Sequence, residues 1–142
     1  MRNESNMEYT PDRIETLENN QVYVFTSNII GFHSGDTSLI AIHRFGAIWG
    51  QAEGPQGHCY AIPADIRGEA IDNVSTYLKR HIGKFLDYAR QHQEQIFLVT
   101  KIGCGTAGFD EDFIAPFFSD ALRMNNICLP KSFYEYLTLK KE

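Results

Sequence analysis

The sequence predicts an α/β fold in three layers, with helices on both faces of a mixed, largely parallel central sheet. Three observations predict it. Residues 22–26 and 96–102 are nearly continuous apolar runs, as strands covered on both faces require. Between them, Ile71, Val74, Leu78, Ile82, Phe85 and Ala89 recur at the three- and four-residue spacing of a helix. Each apolar run is followed by a loop of small residues and then by another helical pattern.

Taken in chain order, residues 1–9 are mostly polar and predict a flexible N-terminus, leaving 10–142 as a single domain. A strand over 22–26 leads through a loop into a helix over 37–45. Trp49, with Phe45 and Tyr60, reads as core. Residues 51–58 read as a loop, either an exposed hairpin-like connection or the edge of a pocket. A second strand covers 59–62 and the long helix covers 71–89. Asp72 and Arg90 suit its dipole, and Lys79, Arg80, Lys84, Arg90 and Gln91 form its solvated face. The strand over 96–102 leads to a helix over 112–124, with Pro116 in its first turn and Asp110 or Asp112 as its cap. A weaker strand pattern surrounds 127–129. Phe133, Tyr134 and Tyr136 read as core or as an oligomer contact.

Composition removes several functions. A net charge of −5 with no clustered Lys and Arg argues against a duplex nucleic-acid surface. No stretch approaches the apolar length of a membrane span, and no secretory leader pattern opens the chain, so a cytoplasmic location without a membrane partner is expected. Three cysteines without short pair spacing, and five scattered histidines, make neither a disulfide framework nor a metal site. No cofactor is expected. Walker A and GxGxxG patterns are absent after the first strand, which argues against a P-loop or Rossmann nucleotide site.

The informative segments are the two loops. The first runs from Ser27 through Asn28, Gly31, Phe32, His33, Ser34, Gly35 and Asp36 to Thr37; the second runs Gly103-Cys104-Gly105-Thr106-Ala107-Gly108-Phe109. Glycine lets backbone N–H groups come close to an anion, and the helix that follows adds unsatisfied N–H groups and a positive dipole end. Successive N–H groups curled into a concavity bind anions. Two such loops at neighbouring strand ends would grip a diphosphate from both sides. Glycines after a strand also serve as plain turn residues, but three within 103–108 exceed what a turn needs.

From Thr10 to Leu129 the pattern resembles the macrodomain family. Asn28 stands at the end of an early strand, a glycine-rich loop leads into Ala41-Ile42-His43-Arg44, and Gly105-Thr106-Ala107-Gly108 follows the strand ending in Ile102. Ile102-Gly103-Cys104-Gly105 is similar to the second loop of the branch that contains small deacylating ADP-ribosyl hydrolases. The resemblance implies a macrodomain-like domain that binds ADP-ribose or a related diphosphate-containing nucleotide. Asn28 would contact the distal ribose; Gly31, Ser34, Gly35, Asp36 and Thr37 would approach that ribose and the diphosphate. Gly103, Cys104, Gly105, Thr106, Ala107 and Gly108 would cradle the diphosphate, Phe109 would pack on the ligand, and Asp12 would meet the adenine.

The chain departs from the family where catalysis is concerned. Hydrolytic members carry an Asp shortly before Ala-Ile-His-Arg; Leu39 stands there, with Asp36 three residues earlier. The deacylating branch has an Asp in its second loop and a Lys after its second strand, where this chain has Thr106 or Ala107 and Ala64-Asp65. These departures favour binding over turnover. Removal of ADP-ribose from an ADP-ribosylated macromolecule is the alternative, with Asp36 as its candidate catalytic group, and a protein-interaction domain with a degenerate pocket is a further one. Asp36 also suits a helix cap. Cys104, near a helix N-terminus that lowers thiol pKa values, reads first as a small residue that fits its loop. His43 reads as packed or capping.

Overall fold

The computed structural model describes residues 9–32 and 35–139. Its strands are β1 (Tyr9–Thr10), β2 (Gln21–Asn28), β3 (Gly54–Gln56), β4 (Cys59–Asp65), β5 (Ile96–Val99) and β6 (Ile127–Pro130). They form one six-stranded sheet in the order β1-β6-β5-β2-β4-β3. Every pairing is parallel except the β3–β4 hairpin. The α/β class and the mixed, mostly parallel sheet thus agree with the expectation.

Side-chain alternation along the central strands separates two cores. Val22 and Val24 of β2, with Tyr60 and Ile62 of β4, face helix α2 (Val74–Arg90), a 3₁₀ helix (Ala115–Arg123) and α4 (Lys131–Leu139). Tyr23 and Phe25, with Cys59 and Ala61, face helix α1 (Asp36–Phe45) through Ala41 and Phe45. Period-two strand geometry makes one apolar run serve both layers. Among the described residues, no helix is long and apolar enough to cross a membrane.

Several boundaries move for identifiable reasons. The long helix starts at Val74, not at residue 71, because Asn73 is extended and its side chain accepts from the Thr76 N–H at 2.9 Å. Strand β5 stops at Val99 because Thr100 turns the chain: its hydroxyl donates to the Val24 carbonyl at 2.8 Å, and the Ile102 N–H reaches the Thr100 carbonyl at 2.7 Å. The helix expected over 112–124 is instead one α turn, α3 (Glu111–Ile114), continued by the 3₁₀ segment. Pro116 has no N–H for the α-helical bond to residue 112, so the chain tightens there.

Three elements escaped the sequence pattern. Tyr9, assigned above to the tail, pairs with Leu129 at the sheet edge. Residues 54–56 form an edge strand in which Gly54 and Gln56 are buried. The C-terminal aromatic segment is helix α4, which buries Phe133 and Leu137 while Tyr134 and Tyr136 are half-buried, so its core reading holds for Phe133.

Helix α2 generates an opposed pair of stability predictions. A Cβ at Gly83 meets nothing within 4 Å, so Gly83→Ala should stabilise by about 0.5–1 kcal/mol. Asn73→Ala removes the cap and should destabilise by about 1 kcal/mol. Urea denaturation of both variants checks the pair; a Gly83→Ala protein weaker than the parent would contradict the packing described.

Candidate functional site

The site is built around the C-terminal end of β2, the central strand between β4 and β5. Thr26 ties both glycine-rich loops to it. Its carbonyl accepts from the Ser38 hydroxyl of α1, and its Oγ1 accepts from the Gly103 N–H at 3.0 Å. The Ser27 hydroxyl donates to the Ala52 carbonyl. Asn28 then turns the chain, its Oδ1 accepting from the Phe32 N–H at 2.8 Å. Gly31 has φ +81°, and a Cβ there would stand 2.6 Å from the Gly50 carbonyl carbon. Only glycine allows this approach, which the Gly50 N–H closes by donating to the Gly31 carbonyl at 2.9 Å.

Phe32 stacks on Trp49 with ring centroids 5.1 Å apart and planes 12° apart. Trp49 is therefore no core residue: it is 57% exposed, whereas Phe45 and Tyr60 are buried in opposite layers. Its partner is the loop beside the site.

A cavity of about 230 Å³ opens between the two loops. From the first loop and α1, Asn28, Gly35, Asp36 and Thr37 line it; from the second, Cys104, Gly105, Thr106 and Ala107 do. The loops touch, since a Cβ at Gly35 would stand 3.1 Å from Thr106 Oγ1. Gly31, Gly103, Gly108 and Phe109 do not line the cavity and act behind it. Gly103 gives its N–H to Thr26, the Gly108 N–H donates to Gly105, and Phe109 stacks on Phe113 against the core. Ser34, like His33, lies outside the described residues.

The backbone of this cavity is rich in free donors. The N–H groups of Gly103, Cys104, Gly108 and Phe109 are used within the protein, but those of Gly105, Thr106 and Ala107 donate to no other described residue. On the other loop, α1 begins after an extended Gly35 with no side-chain cap, and the N–H groups of Asp36, Thr37 and Ser38 donate to no other described residue. Asp36 is the first helical residue and not the cap. Asp110 holds the cap position of α3, again without a side-chain hydrogen bond. His43 is exposed in the last turn of α1, neither packed nor capping.

The charged residues of the cavity include two that the sequence did not single out as ligand contacts. Lys101 lines it and pairs with Glu111 at 3.2 Å. Asp65, at the end of β4, lines it too and is gripped by Arg67 Nε at 2.9 Å and Nη2 at 2.8 Å. Those hydrogen bonds hold the Asp65 carboxyl below the usual carboxylate range. Thr26, Ser27 and Ser38 also line the cavity without having been assigned as contacts, and Phe32 does so from within the first loop. The signal that finds Lys101, Asp65, Thr26 and Ser27 is position: each stands at or just past the carboxyl end of a parallel strand.

Thr37 and Lys101 also line a second cavity, of about 520 Å³, bounded by Asp12, Ile14, Tyr23, Ile40 and Arg44. The two spaces thus adjoin over the start of α1. No group of three His, Cys, Asp or Glu side chains among the described residues is placed to hold a metal ion.

Burial, and then the charge of Glu111, pushes the Cys104 thiol up to about 12, the opposite of an activated nucleophile. Iodoacetamide at pH 8 should therefore alkylate Cys104 at least about tenfold more slowly in the folded protein than in urea. Equal rates, read by mass spectrometry, would contradict the burial of this thiol. No family model, curated protein or solved structure matches the chain.

Proposed function

We propose that the chain is a macrodomain-like module that binds ADP-ribose or a related diphosphate-containing nucleotide. The observation that carries the reading is the convergence on one cavity of two sets of backbone N–H groups that donate to no other described residue: those of 105–107 and of the first turn of α1. Such donors suit an anion that needs many short contacts, and a helix N-terminus adds a favourable dipole. Lys101 supplies one cationic side chain on the wall.

The adjoining larger cavity supports a ligand with a second, bulkier end. Its lining combines apolar and aromatic groups (Ile14, Ile40, Tyr23) with Asp12, a carboxylate able to accept from an exocyclic amine. In this reading the adenosine half occupies that space, and the diphosphate passes the junction at Thr37 and Lys101. The distal ribose reaches Asn28. Asp36, exposed at the lip of the first cavity, supports a second reading in which the ligand is an ADP-ribosyl group on a macromolecule and is hydrolysed. In that case Asp36→Ala should slow release from an ADP-ribosylated protein by at least about tenfold. Equal rates for parent and variant would remove Asp36 from the chemistry.

Gly105 offers a clean test of binding. Nothing lies within 4 Å of a Cβ there, so Gly105→Glu should fold while placing a carboxylate among the free N–H groups. ADP-ribose at 100 times its Kd should stabilise the parent by about 2.7 kcal/mol in thermal or urea unfolding. The variant should show no such stabilisation. A folded Gly105→Glu protein that is stabilised as strongly as the parent would overturn the assignment.

A further inference from the structure

The anion cradle accounts for the loops around the first cavity but assigns no role to Asp65, which lines it from the end of β4. There, Asn28 of β2 and Asp65 of β4 are register partners on adjacent parallel strands, and both line the cavity. Their polar ends differ in kind. Asn28 Oδ1 is occupied by the Phe32 N–H, so the end left for a ligand is the Nδ2 donor. Asp65, ionised against Arg67, offers only acceptor lone pairs. Its side chain is 14% exposed, and Arg67 approaches with two nitrogens. Each carboxylate oxygen can accept more than one hydrogen bond, so capacity for a ligand hydroxyl remains.

A carboxylate on this wall is unsuited to phosphate, because two anions would meet in a confined space. It suits a hydroxyl, which can donate to it. A donor beside an acceptor suits two neighbouring hydroxyls, one accepting and one donating. We infer that Asp65 is a specificity-determining residue that, with Asn28, clamps the vicinal diol of a furanose ring. Asn28 Nδ2 donates to the 3-hydroxyl of the terminal ribose and the Asp65 carboxylate accepts from its 2-hydroxyl.

This inference rests on the nucleotide reading above and deepens it. The N–H donors of 105–107 and the carboxylate at the end of β4 polarise the cavity, with Asp36 exposed at its lip, and in this reading a sugar phosphate lies with its phosphate toward 105–107. Arg67 acts through Asp65: it fixes the carboxylate's orientation and charge without itself lining the cavity.

Calorimetric titrations of the parent and of Asp65→Asn with three probes test the clamp: ADP-ribose, ADP, and the ADP-ribose analogue whose terminal ribose is 2-deoxy. The parent should bind ADP-ribose about tenfold more tightly than the deoxy analogue, as expected for a hydrogen bond to a charged group. Asp65→Asn should lose that discrimination and bind ADP within about twofold of the parent. Equal affinity of the parent for ADP-ribose and its deoxy analogue would overturn the clamp without any variant. So would an Asp65→Asn protein that keeps the parental preference. A parent that binds none of the three probes would overturn the nucleotide reading, and the clamp with it.

Discussion

Everything in the site depends on how one strand ends. β2 pairs in parallel with β5 over Gln21–Val24 and with β4 from Tyr23 to Asn28, so its carboxyl end is fixed to the sheet through β4. The last regular residues then spend their hydrogen bonds outward. Thr26 takes the Ser38 hydroxyl with its carbonyl and the Gly103 N–H with its side chain. A single threonine therefore sets the distance between helix α1 and the second glycine-rich loop. Gly103 donates inward to Thr26, so the N–H groups further along the loop, from 105 to 107, are the ones left for a ligand.

That arrangement places around one small space several backbone N–H groups that donate to no other described residue. In a folded protein, buried donors are normally paired, and each unpaired one carries an unfavourable desolvation term. Here they are concentrated where solvent or a ligand reaches them, at a half-exposed rim. The walls also differ in sign. Lys101 and the backbone donors favour negative charge, while Asp65, fixed by Arg67, favours a hydroxyl. In the proposed reading, this polarity would distinguish the two ends of a sugar phosphate. The aromatic pair Phe32–Trp49 stiffens the outer edge of the first loop, working with the close backbone contact at Gly31 and Gly50.

The parts of this fold that the sequence made legible are those where one physical signal dominates. Strands β2 and β5 were readable because burial on both faces demands unbroken apolar runs. Helix α2 was readable because Leu78, Ile82 and Phe85 repeat at helical spacing. The site's loops were readable because small residues cluster after those strands. The parts that escaped depend on distant partners. Tyr9 becomes a strand residue only by pairing with Leu129, and Gly54–Gln56 only by pairing with β4. Trp49 is aromatic and was assigned to the core, yet its stacking partner Phe32 is seventeen positions away on an exposed loop. Gly103 and Gly108 look like their neighbour Gly105 in sequence. They differ in whether their N–H groups are already taken. Asp65 was noted only as a departure from a family pattern, because its place in the cavity follows from strand register.

In the proposed reading, the N–H groups of the second loop and of the first turn of α1 meet one ligand whose other half lies over Asp12. Amide shifts of the ¹⁵N-labelled protein during titration with ADP-ribose test it most directly. The largest shifts should fall together on residues 105–107, on the first turn of α1 and on residues 12–14, with a single saturation curve. Saturable shifts confined to other faces of the protein, or no shifts at any of these amides, would contradict it.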